Sequence, residues 1–138
     1  MATTTILCLV DVVGALANAS LQGSLYLMDD NQPKGVPRNA SGTRTTRVRA
    51  RDLLIWTDTQ MEVETDVALV GVWGIPRDIC VPTPVPLQGT DLVYWQGTVL
   101  RDFTGVVPYW LDFSVEGIPM RTPGSSTLVC GADPLTGA

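Results

Sequence analysis

The chain has 138 residues, enough for one domain whose core needs no metal or disulfide staple. It contains no histidine, which excludes Ser-His-Asp and Cys-His catalysis and removes the commonest transition-metal ligand. The net charge is −5, and Lys34 is the one lysine among nine basic residues, so the protein as a whole repels nucleic acid.

Apolar residues make up 45% of the chain and charged residues 17%. So few charges cannot cover the surface of a free monomer, so strands are buried on both faces or surface is buried against partners. Cys8, Cys80 and Cys130 lie far apart with no Cys-x-x-Cys, which reads as reduced, buried thiols; one disulfide with a free thiol is the alternative. The opening "MATTTILCLVDVVGALANAS" lacks a basic start and carries Asp11 inside its apolar run, so no cleaved signal is expected. No apolar run reaches the roughly 18 residues of a membrane helix.

The pattern then predicts strands in chain order. Thr4 to Val13 is a β-branched run with one charge, Asp11, and reads as a central strand buried on both faces. Ser24 to Met28 is a second strand, and "DDNQPKGVPRNASG" is a long loop. From Thr45 to Arg51 the parity puts Arg47, Arg49 and Arg51 on one strand face, with Asp52 marking a bend. "LLIWT" follows as an apolar strand. Glu62, Glu64 and Asp66 then share one face of the next, which runs into "VALVGVW" with Gly71 at a bulge or close approach. Pro76, Pro82, Pro84 and Pro86 make an extended connector along a sheet edge. "LVYWQGTVLR" and "VVPYWLDFSV" are aromatic-rich strands with "DFTG" as a hairpin turn between them, and "EGIPM" turns into a short last strand. No segment shows sustained helical periodicity. The expected fold is an all-β antiparallel β-sandwich with Greek-key or jelly-roll links over 1–121, a small barrel being the second choice. Residues 122–138 are expected as a C-terminal tail, docked as an edge strand or exchanged with a neighbour.

Four features are candidate sites. Arg47, Arg49 and Arg51 can face Glu62, Glu64 and Asp66 across a strand pair, or match the acidic face of a second copy; a nucleic-acid grip is disfavoured by the negative field. Trp95, Tyr109 and Trp110, with Trp73 and Tyr94, can line a ligand groove or anchor an interface. Asp29, Asp30 and Asn31 lack the acid spacing of a calcium loop and read as a turn. Asp11, inside an apolar strand, is expected to be structurally paired rather than catalytic.

The stretches "TTILCLVDVVGAL" and "RARDLLIWTDTQMEVETDVALVGV" resemble the PixA/AidA inclusion-body protein family. Asp11 matches the early acid of its layout, and Asp52 with Trp56 match its "Gly-Asp-hydrophobic-x-Trp" strand. Arg51 stands where that element has glycine, and the family's His-containing segment has no counterpart. The resemblance implies a small cytoplasmic bacterial all-β protein without enzymatic activity that accumulates in ordered inclusions. The expectation is therefore a non-enzymatic, self-associating protein with no cofactor, no metal, no nucleic-acid partner and no membrane span. A lectin-like ligand-binding module and a small β-barrel enzyme are the alternatives.

Overall fold

The computed structural model describes residues 3–29, 45–60, 65–86, 88–89, 93–122 and 124–130. Strand β1 (Thr3–Val10) alternates as its sequence demands. Thr4, Ile6, Cys8 and Val10 are buried, and Thr5, Leu7 and Leu9 on the other face are half-buried. The expected strand through Val13 stops at Val10, and a helix α1 (Val12–Asn18) follows.

Asp11 causes the break. It sits at the helix N-cap with extended φ of −83° and ψ of 97°, and its carboxylate accepts from the Gly14 N–H at 3.1 Å. Asp11 therefore serves as a cap, not as a charge within a strand. Val12 and Ala15 tuck into the core, and Ala19 ends the helix in the left-handed region with φ of 53°. Seven residues are too few to hold a helix by propensity or to print a helical period, so packing supplies the stability.

The first sheet runs β2-β1-β4-β7-β6, where β2 is Leu25–Asp29, β4 Leu53–Gln60, β6 Thr83–Pro86 and β7 Val93–Thr98. The second runs β3-β10-β8-β5, with β9 paired to β8; here β3 is Thr45–Val48, β5 Val67–Trp73, β8 Val106–Val115, β9 Ile118–Arg121 and β10 Ser126–Cys130. The sandwich expectation holds, and neither strand order closes into a barrel among the described residues. Each sheet is mixed rather than wholly antiparallel, because β1 pairs β4 and β3 pairs β10 in parallel.

Two connections differ from their sequence reading. "DFTG" joins no hairpin: β7 lies in the first sheet and β8 in the second, so this turn carries the chain between layers. The segment Ser126–Cys130 runs inside the second sheet, between β3 and β8 of its own chain; residues 131–138 lie outside the described residues. Other readings match. Gly71 sits at a register shift in β5, and Glu116 and Gly117, both at positive φ, make the β8–β9 hairpin turn. The proline connector supplies β6 at the sheet edge, where Pro84 and Pro86 have no N–H to offer.

The core fills the space between the sheets. Ile6, Cys8, Leu54 and Trp56 from the first face Tyr109, Leu111, Phe113 and Leu128 from the second, all fully buried. Trp56 and Tyr109 meet edge to face, with ring centroids 5.9 Å apart and planes at 73°. The three cysteines are free thiols; burial, reinforced by the Asp58 charge, pushes Cys8 far up, and burial pushes Cys80 up to about 11. Among the described residues, no helix is long and apolar enough to cross a membrane.

Candidate functional site

The arginines do not form one strand face. Arg47 is half-buried on β3, but β3 ends at Val48, and Arg49 and Arg51 lie exposed in the turn that leads to β4. Asp52 builds that turn. Its carboxylate accepts from the Arg49 N–H at 2.9 Å, and its carbonyl accepts from the Val99 N–H at 2.8 Å. Arg51 takes φ of 75°, a left-handed conformation that a side chain resists, and its N–H donates to the Val99 carbonyl at 2.6 Å.

The acids lie elsewhere. Asp66 is exposed just before β5, where its N–H donates to the Glu116 carboxylate at 2.9 Å; Glu62 and Glu64 lie outside the described residues, as do Asp30 and Asn31. Strands β3 and β5 are the two opposite edges of the second sheet. Arg47 lies opposite Val129 of β10, and the pairing expected between the arginine segment and the acid segment falls on Glu62 and Glu64, outside the described residues. Asp102 also meets the basic turn: its carboxylate accepts from the Ala50 N–H at 2.9 Å. That bond lowers its pKa, with smaller contributions from the Cys130 thiol and the Arg49 charge.

The aromatic candidates separate by face. Tyr109 is fully buried against Trp56, so it is a core residue and not a ligand contact. Trp95 is half-buried on the core side of β7, and its Nε1–H donates to the Leu69 carbonyl at 2.9 Å. Trp110 is half-buried on the outer face of β8, directly across from Trp73 of β5.

Trp73 is the residue around which this outer face is organised, and it was not among the three aromatics favoured by the sequence. It is 54% exposed. A β-carbon on Gly71 would fall 2.5 Å from its Nε1 and 3.0 Å from its Cε2, so the indole lies directly against the glycine backbone. Asp112 lies opposite Gly71 in the strand register, beside the indole. Asp112 in turn receives both prongs of Arg121, Nε at 2.6 Å and Nη2 at 3.1 Å, from the neighbouring strand β9. Arg121 thereby holds the Asp112 carboxyl below its ordinary range, and Trp73 adds to the lowering. A sequence signal existed for this cluster in "GVW", where Gly71 precedes Trp73 by two and so shares its side of the strand.

Residues 2–121 match the model of a family described as "Domain of unknown function (DUF8788)". No curated protein matches the chain. Among solved structures, the chain is similar to an inclusion body protein (PixA) from Burkholderia cenocepacia J2315, with a TM-score of 0.62 and 12% identity over 95% of this chain and 94% of that one. The resemblance read from the opening strand and the Asp52–Trp56 element thus holds at the level of the fold.

Proposed function

The chain belongs to the DUF8788 family, and from that premise and its fold we propose that it is a non-enzymatic structural protein that associates with itself into ordered cytoplasmic assemblies or inclusions. The observation that carries this reading is the likeness to an inclusion body protein over nearly the whole of both chains. The absence of histidine supports a non-catalytic role.

The strand order favours a head-to-tail contact. The arginine turn follows one edge strand of the second sheet and the acid segment precedes the opposite edge strand. Exposed Arg49 and Arg51 after one edge strand and exposed Asp66 before the opposite one suit a heterologous interface, in which the basic segment of one copy meets the acidic segment of the next. Such a contact repeats without closing and builds open arrays. Exposed apolar residues such as Val70, Leu100 and Val106 add surface that association would bury.

The test is charge reversal at Arg49 and Arg51, both exposed, followed by light scattering and circular dichroism. Arg49→Glu with Arg51→Glu is expected to keep the fold and lose the assembly. A folded variant that assembles like the parent removes the arginines from the interface.

A further inference from the structure

We propose that Trp73, Asp112 and Arg121 form a saccharide-binding platform on the outer face of the second sheet, taking the apolar face of a neutral pyranose ring on the exposed indole. This goes beyond self-association, which involves the sheet edges.

Three features of the cluster point to a ligand. The first is that the indole is fixed. Gly71 lets it lie flat on the strand, since a β-carbon there would fall 2.5 Å from Nε1, and this close packing against the backbone holds the ring. An exposed tryptophan normally keeps rotamer freedom that binding must remove; here that cost is met before any ligand arrives. The second is that the opposite face of the ring is open, leaving a large flat apolar surface in water on a rigid strand pair rather than on a loop.

The third feature is the polar edge. Asp112 and Arg121 lie beside the indole as a bidentate pair, with Arg121 59% and Asp112 25% exposed at the side chain. The carboxylate offers lone pairs and the guanidinium offers further N–H groups, so donors and acceptors stand together at the rim of an apolar plate. A pyranose presents the complementary pattern, with C–H groups on its face and hydroxyls, each both donor and acceptor, around its edge. The charges cancel within the pair, which selects against phosphates and other anions that an unpaired arginine would attract. Trp110 extends the apolar strip across the strand pair; its six-membered ring lies against Gly74, where a β-carbon would come within 3.0 Å of it. A single ring on an open face buries little surface, so binding to a monosaccharide is weak, in the millimolar range.

The experiment is solution NMR on the full chain at a concentration where it is monomeric. Neutral methyl glycosides of glucose, galactose and mannose, with cellobiose and chitobiose, are titrated to tens of millimolar. The indole N–H resonances and saturation transfer to the sugar C–H protons are followed. The expected result is saturable movement of the Trp73 indole signal for at least one sugar, with transfer concentrated on one face of the ring. Trp73→Ala is expected to weaken this at least tenfold, and Trp73→Phe less. Gly71→Ala keeps all four tryptophans but displaces the indole, and is expected to weaken binding comparably. Two outcomes overturn the proposal: no sugar moves the Trp73 signal, or Trp73→Ala leaves sugar binding intact. If the Trp73 signal moves with protein concentration alone and is indifferent to every sugar, the platform is a contact between copies and the saccharide assignment is wrong.

Discussion

The Nε1–H of Trp95 donates to the Leu69 carbonyl at 2.9 Å, from the first sheet to the edge strand of the second. The N–H of Leu69 donates to the Asp58 carboxylate, also at 2.9 Å. Both backbone groups of Leu69 are therefore occupied by side chains rather than left as a template for another strand. Trp95→Phe keeps the ring and loses the donor. It is expected to cost about 0.5–1.5 kcal/mol, the net worth of one hydrogen bond, read as a lower urea midpoint with an unchanged slope. An unaltered midpoint would mean that water replaces the indole without loss.

Asp58 gives this edge a pH dependence. Burial raises its carboxyl above the ordinary range; the Leu69 N–H opposes the rise, and the more distant Asp66 charge reinforces it. A carboxyl whose folded pKa is raised favours the folded state most when protonated. Its contribution is present below the unfolded pKa and is lost as pH rises through the raised folded value. Asp58→Asn keeps an acceptor for Leu69 and carries no charge. Relative to the parent, the variant is expected to gain stability as pH rises from about 4 to about 8. A stability difference that stays flat across that range contradicts the raised pKa.

Arg51 explains a departure from the family pattern and makes it testable. The resembling element has glycine here, and the φ of 75° is the reason glycine suits the position. Arg51→Gly is expected to stabilise the fold by about 0.5–1 kcal/mol, the relief of left-handed strain less the entropy glycine brings. Thermal unfolding measures it, and a destabilised variant would show that the arginine side chain contributes more than its backbone strain costs.

Tyr109 was legible as an aromatic on a strand but not as a core residue. Parity shows that neighbours point to opposite faces; it cannot tell which face meets the other sheet. Tyr109→Ala is expected to cost about 3–5 kcal/mol, because it empties a site packed against Trp56. A loss below about 1 kcal/mol would contradict full burial.

The same limits account for the rest of the comparison. The strands of "VALVGVW", "VVPYWLDFSV" and the proline connector carried strong local signals, and they form where expected. Helix α1 did not, since its seven residues rest on the Asp11 cap and on tertiary packing. The neighbour of β3 was not legible either, because pairing partners are a property of topology: β3 lies beside β10, from the far end of the chain. The Trp73 cluster needed three strands to assemble, of which only Gly71 and Trp73 share one.

The capping role of Asp11 is checked by Asp11→Ala. Loss of the Gly14 contact is expected to cost about 1 kcal/mol and to increase hydrogen exchange first in Val12–Asn18. Unchanged exchange there would mean that packing alone holds the helix.

Self-association is tested most directly by light scattering of the purified chain across protein concentration at low and high salt, with electron microscopy of the same samples. The account predicts particles far above the 14.8 kDa protomer that grow with concentration, appear ordered, and loosen as salt screens the charged edges. A protomer mass that holds at every concentration and is indifferent to salt would contradict it.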